Sequence, residues 1–305
     1  MPLFFLYVQL IAKINGIVLY QSIKGDTILE PIITIQEEYI LPSLGKVYSE
    51  QFDPHIRLRS MTVADEMKRQ GKTASPYKTM CEIIDSCILD RIPVSSYDMC
   101  IGDYQYLIHK LRTVTYGPDY EVSAICPHCG KSFNFTINLD DLDRKEYNSS
   151  EIENLLNVKL NNGDIIKLKM QTPRDLDEID KGIKTFSKDS NEDFSLPLNI
   201  VTFIQSINGE ELTFTEKFEY AKRMSMGDTL DLLDVATKLN ESIGVNIEIT
   251  TECTECKKAV NTYFRYSQEF FRPRTRRWRK TIRFKKIQRV SRGVLIYFKK
   301  DINFL

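Results

Sequence analysis

Two Cys-x-x-Cys pairs, Cys126/Cys129 and Cys253/Cys256, constrain this chain more than any other feature. A two-residue gap lets both thiolates reach one metal ion, and zinc takes four such ligands in a tetrahedron. Neither pair closes a site alone. The spacing therefore predicts that segments more than 120 residues apart in the chain meet around a single zinc. Seven cysteines are present, an odd count with four in chelating pairs. That pattern points away from a disulfide framework and toward a reduced, intracellular chain. Cys81, Cys87 and Cys100 lack chelating spacing and are expected as buried small apolar residues. His128, inside the first pair, is expected to be exposed and not a fifth ligand.

The surroundings of the two pairs repeat. Gly102-Asp103 precedes an amphipathic helix with Tyr104, Leu107, Ile108 and Leu111 on one face, and Gly227-Asp228 precedes another with Leu232, Val235, Ala236 and Leu239. Asp103 and Asp228 read as N-terminal caps. Gly117 and Gly244 read as stops, and the first cysteine of each pair comes nine positions after its glycine. Alternating segments flank each pair and read as strands: "DYEVSAI" and "NIEITTE" before, Phe133 to Leu139 and Val260 to Phe264 after. Upstream, "IRLRSMTVADEM" matches "IKLKMQTPRDLDEI", each a short strand with basic residues and then a Thr with Asp three residues on. That spacing suits a helix start at Thr62 and Thr172, with Pro173 in the first helical position.

The predicted fold is α+β: two pseudo-repeated strand–helix–strand units joined by a split four-cysteine zinc ribbon. The expected boundaries are an N-terminal extension (1–40), a first repeat (41–148), a second repeat (149–273) and a basic tail (274–305). Each repeat supplies half of a structural zinc site, one zinc per chain, with Cys126, Cys129, Cys253 and Cys256 as ligands. One asymmetry stands out. Gly130 follows the first pair, where the knuckle favours positive φ, and Lys257 occupies that place in the second.

Several function classes are disfavoured. A zinc enclosed by four thiolates has no open position for water or substrate. The pairs lie between strands and lack the βαβ setting of a redox motif. No glycine-rich phosphate loop is present, and His55, His109 and His128 lie far apart with no nucleophile motif nearby. The acid-rich stretches 139–147 and 187–194 read as linkers or solvated faces. No run of about 18 apolar residues could cross a bilayer. The opening "MPLFFLYVQLIA" lacks the positive start and cleavage site of a secretory signal, so a buried first strand, or an upstream start outside the functional chain, is expected there.

Three stretches carry a family resemblance: "LPSLGKVYSEQFDPHIRLRSMTVADE" (41–66), "LRTVTYGPDYEVSAICPHCGKSFNFTINLDDL" (111–142) and "NIEITTECTECKKAVNTYFRYSQEFFRP" (246–273). The turn Tyr116-Gly117-Pro118-Asp119-Tyr120 ahead of a cysteine pair is its most specific element. Across about residues 40–273 the chain resembles the baseplate hub and hub-assembly proteins of contractile-tailed, T-even-type phages. The resemblance implies a non-enzymatic virion or assembly protein whose partners are other baseplate and hub proteins. It places the protein in the host cytoplasm during assembly and, if it is a hub subunit and not an assembly chaperone, in the virion tail baseplate, with the four named cysteines as metal ligands.

The net charge of zero hides an asymmetry: residues 272–305 carry a net +12 and residues 1–271 a net −12. Arg276, Arg277, Trp278, Arg279, Lys280 and Arg283 interleave cations with a ring, the pattern a nucleic-acid strand favours. A zinc-ribbon nucleic-acid-binding protein using this tail is the rival reading, although the acidic body would repel phosphates. Ser291-Arg292-Gly293 reads as the turn of a tail hairpin. The aromatics Tyr104, Tyr106, Tyr120, Phe133 and Phe135 fit either a docking surface or the core.

Overall fold

Alternation of apolar and polar residues builds the sheets, and helices pack against them. The structure, a computed structural model, describes residues 8–14, 17–24, 27–28, 32–188, 191–263 and 270–271, with side-chain surroundings from residue 35 onward. Strands β1 (Val8–Ile14), β2 (Ile17–Lys24), β3 (Thr27–Ile28), β4 (Ile32–Ile40) and β5 (His55–Arg59) form one antiparallel sheet in the order β1-β2-β4-β5, with β3 paired to β2. In β5, Ile56 and Leu58 are fully buried while His55 and Arg57 face outward.

Helix α1 (Val63–Gln70) follows. Thr62 and Asp65 form a reciprocal capping box, as their spacing predicts. Helix α2 (Pro76–Cys87) leads to a bridge between Ile88 and Leu58, and α3 (Ile101–Tyr116) packs on β5 and α2. A hairpin of β6 (Asp119–Ile125) and β7 (Ser132–Asn138) carries the first cysteine pair at its tip. The stretch 139–147 is largely exposed, as its acids suggest, but it also carries ordered elements. Leu139 is buried in a one-turn helix, and β8 (Arg144–Lys145) pairs with β12 (Gly244–Val245).

The second half begins with α4 (Ser149–Leu155), β9 (Asn157–Lys159) and β10 (Ile165–Leu168). Next come α5 (Pro173–Phe186), α6 (Ser195–Phe203) and β11 (Ile204–Ile207), and the three strands pair in the order β11-β10-β9. Helices α7 (Phe214–Arg223) and α8 (Met226–Glu241) precede β12, and a second hairpin of β13 (Glu248–Glu252) and β14 (Ala259–Tyr263) carries the second cysteine pair. Ile166 and Leu168 are fully buried, in a core with Leu198, Phe203, Leu232 and Ala236. Thr172 and Asp175 form the second predicted capping box, with Pro173 in the first turn. At each strand end a cation reaches the acid of the box: Arg59 to Asp65 at 2.7 Å and Lys169 to Asp175 at 2.7 Å.

The two glycine–aspartate helix starts differ from expectation. Helix α3 has Cys100 at its N-cap position and no side-chain cap. Asp103 is fully buried and accepts from the Ser43 amide at 3.0 Å, from the Ser43 hydroxyl and from the Tyr48 hydroxyl at 2.6 Å. It anchors the 41–48 loop, because a carboxylate without solvent needs several donors. Helix α8 is capped by Ser225, and Asp228 accepts from the Asn161 amide and side chain, each at 2.8 Å.

The halves interlock through polar groups. Helix α2 has no side-chain cap of its own. Asp177 of α5 supplies one from about 100 residues away, accepting from the amides of Tyr77 (3.4 Å) and Lys78 (2.9 Å) and from the Tyr97 hydroxyl (3.2 Å). Gly102 lies so close to β12 that an added Cβ would sit 2.2 Å from the Ile243 carbonyl oxygen. Residues 1–265 form one unit and residues 266–305 another. Within the second, Phe270 and Phe271 meet edge to face at 5.3 Å.

Candidate metal centre

Each hairpin turns at its cysteine pair through the same backbone device. The Cys126 amide donates to the Lys131 carbonyl (2.9 Å) and the Gly130 amide to the Cys126 carbonyl (2.9 Å). In the second hairpin the Cys253 amide donates to Lys258 (3.0 Å) and the Lys257 amide to Cys253 (3.0 Å). Gly130 has φ +70° and Lys257 has φ +59°. The missing glycine therefore does not change the knuckle: Lys257 takes up the left-handed conformation at some strain.

The two knuckles bring the four sulfurs together, all within 4.8 Å of one another. Cys126 and Cys256 Sγ lie 3.6 Å apart, and Cys129 and Cys253 Sγ 3.9 Å apart. A disulfide needs about 2.05 Å, so these are separate thiols. Four sulfurs placed tetrahedrally at about 2.3 Å from a zinc would sit about 3.8 Å from one another, and the observed separations fit that set. The arrangement is compatible with a metal ion, and its all-sulfur donors favour a soft or borderline one.

The electrostatics agree. Burial pushes the Cys126 thiol up, but the amides of Cys129 and His128 and neighbouring sulfurs outweigh it and bring it down to about 6. The Lys131 amide favours the Cys129 thiolate, but burial and the sulfurs of Cys126 and Cys253 outweigh it, so this thiol is raised. Cys256 is pushed up to about 11: the Lys258 amide favours its thiolate, but burial and the other three sulfurs prevail. Crowded thiolates repel, so one ionises early and its neighbours resist. A bound dication would remove that conflict and let all four thiols of Cys126, Cys129, Cys253 and Cys256 ionise.

Little else joins the hairpin tips. Cys126 and Cys253 are fully buried with Phe133 and Val260, and Ala124, Phe135 and Cys256 pack around them. Lys131 pairs with Glu255 across the knuckles at 2.9 Å. His128 is exposed and its Nε2 donates to the Ala259 carbonyl at 3.2 Å. Cys81, Cys87 and Cys100 are buried, as expected. Tyr104, Tyr106, Tyr120 and Phe133 are core residues, not a docking surface.

Arg276, Arg277, Trp278, Arg279, Lys280, Arg283 and the tail turn at Ser291 lie outside the described residues. Sequence reading noted basic residues in both strands but missed that Arg59 and Lys169 pair with the box acids. Their recurrence six residues ahead of each box acid was the available signal. It also missed the Lys131–Glu255 pair, which no local pattern marks. Among the described residues, no helix is long and apolar enough to cross a membrane.

A protein-family model described as T4 bacteriophage base plate protein matches residues 32–272. No curated protein and no solved structure matches the chain.

Proposed function

The chain belongs to the T4 bacteriophage base plate protein family, and on that premise we propose that it is a non-enzymatic structural or assembly protein of the central hub of a phage tail baseplate. The convergence of four distant sulfurs carries the rest of the reading. Cys126, Cys129, Cys253 and Cys256 would hold one structural zinc per chain. Bound there, zinc would act as a cross-link only, because a closed thiolate shell leaves no position for a substrate.

A duplicated scaffold accounts for the split site. Features that support it recur on both sides: a strand with two buried apolar residues, a cation at the strand end, a Thr–Asp capping box, a long helix, and a cysteine hairpin with one knuckle geometry. We take 41–148 and 149–273 as the repeats, flanked by the 1–40 extension and the 274–305 tail. Other baseplate and hub proteins are the partners, met in the host cytoplasm during assembly and retained in the tail.

The test combines metal analysis with fractionation. Protein purified without added metal should carry about one zinc per chain, and in infected-cell lysates it should sediment with baseplate intermediates. Recovery free of zinc would remove the clip. Recovery bound to nucleic acid, and not to tail proteins, would remove the hub assignment.

A further inference from the structure

One strand of each half follows the same pattern, and its outward face is treated differently in the two. Ile56-Arg57-Leu58-Arg59 of β5 matches Ile166-Lys167-Leu168-Lys169, which begins in β10. The second cation reaches the capping-box acid in both. The first cation does not fare alike. Arg57 meets the Asp90 carboxylate, which accepts from its backbone amide at 2.6 Å and from its guanidinium at 2.6 Å. Asp90 lies two residues after Ile88, the bridge partner of Leu58. The equivalent Leu168 pairs with Ile204, and two residues after Ile204 comes Ser206, opposite Lys167 in the ladder. Lys167 therefore faces a hydroxyl where Arg57 faces a carboxylate.

A cleft of about 390 Å³ opens at that point, lined by Asn157, Ile165, Lys167, Ser206, Asn208 and Gly209. Asn157, Lys167 and Ser206 form one row across the three strands, because antiparallel partners project to the same side of a sheet. Lys159 and Ile165 belong to the next row, and Ile165 is 49% exposed. Ser206 is only 6% exposed. Among the described residues, no hydrogen bond or ion pair engages the Ser206 hydroxyl, the Asn157 carboxamide or the ammonium groups of Lys159 and Lys167. A polar group withdrawn from solvent needs a partner, and the Ser206 hydroxyl has the cleft in front of it. The lining holds one cation and no acid. Asp164, next to Ile165 in sequence, turns its carboxylate to Asn162, Asn208 and Tyr220 instead.

We propose that this cleft seats the side-chain carboxylate of a partner protein's segment, an aspartate or glutamate with an apolar neighbour. The carboxylate takes the role that Asp90 has in the first half. It meets the Lys167 ammonium and accepts from the Ser206 hydroxyl and the Asn157 carboxamide, and a charge-assisted bond of this kind is about twice as strong as a neutral one. The apolar neighbour covers Ile165. Unpaired lysines select an acidic segment over a neutral or basic one, which also argues against the chain's own +12 tail as occupant. The comparison with Asp90 rests on the proposed duplication. The cleft, the withdrawn hydroxyl and the unpaired cation stand without it, and without the metal.

Amide chemical shifts of the isotope-labelled full chain test it, in titrations with three end-blocked peptides: Leu-Glu-Leu, Leu-Gln-Leu and Leu-Lys-Leu. The first should shift the Lys167 and Ser206 amides saturably and bind at least about fivefold tighter than the others. Lys167→Gln and Ser206→Ala should each weaken it at least about fivefold while the chain stays folded by circular dichroism. Ser206→Asp rebuilds the first half's arrangement, so it should raise the thermal midpoint and block the peptide. Should Lys167→Gln unfold the chain, the Ser206 variants still decide. Equal binding of the three peptides, or a folded Ser206→Asp that binds like the parent, overturns the proposal. A blocked peptide without a higher midpoint upholds the seat and counts only against the match with Asp90. Inorganic phosphate binding tighter than Leu-Glu-Leu would make the seat a phosphate site. The same shifts on raising the chain's own concentration would make the occupant a second copy, and peptide binding only after deletion of 274–305 would make it the tail; each of these three results overturns the proposal.

Discussion

Removing the proposed zinc from the four-cysteine cluster should release the two knuckles and leave the rest of the chain folded. The two hairpins belong to separate two-stranded sheets with no shared ladder, and such ribbons are marginal alone. Ordering the residues from Cys126 to Lys131 and from Cys253 to Lys258 costs about 1–2 kcal/mol each, or about 12–24 kcal/mol in all. Burying Phe133 and Val260 returns about 1.5–3 kcal/mol each. The four knuckle backbone bonds return about 1 kcal/mol each. A deficit of about 2–17 kcal/mol is left, which a four-thiolate zinc, worth about 10–16 kcal/mol, would offset. The body has its own cores and no such need. Amide exchange before and after a strong zinc chelator checks this residue by residue. The amides of Gly130 and Lys257, each bonded across its knuckle, should exchange at least about a thousandfold faster, while those of Ile56 and Ile166 stay within about threefold. Knuckle amides that remain protected without metal would refute the reasoning, and so would loss of the whole body along with them.

Asp177→Ala should destabilise the chain by about 1–2 kcal/mol in urea unfolding, because it uncaps α2 and removes the acceptor of three part-buried hydrogen bonds. Asp177→Asn should cost less. Burial, and then the cations Lys110 and Arg112, hold the His109 imidazole down to about 3. Its folded value lies below the ordinary one of about 6.5, so its contribution is complete above that pH and falls by about 1.4 kcal/mol per unit as pH drops toward the folded value. His109→Gln should flatten the stability profile between pH 6.5 and 5, where carboxylates still contribute little slope. Lys257→Gly should relieve left-handed strain and strengthen zinc retention in a chelator competition by up to about 1 kcal/mol, whereas Lys257→Val should weaken it by about 1–2 kcal/mol.

Local chemistry was legible. Thr62 and Thr172 cap their helices as their spacing predicts, because a capping box involves only residues three apart. The acids Asp103 and Asp228 misled for the complementary reason. An aspartate in a first helical turn looks like a cap, but burial commits these two to the Ser43–Tyr48 loop and to Asn161. The acidic look of 139–147 hid a strand whose partner, Gly244–Val245, lies about 100 residues on.

The sequence by itself determined that Cys126, Cys129, Cys253 and Cys256 should meet, since a pair of thiolates two residues apart is an incomplete chelate that needs its complement. It also placed the chain in its family. Only the tertiary structure decided that Lys257 could stand in for a glycine, that Asp177 would cap a helix from the other half, and that Lys167 would face Ser206 where Arg57 faces Asp90. These depend on which distant surfaces come within a few ångströms of each other. Short-range spacing does not encode that, because burial and charge pairing are settled by neighbours in space.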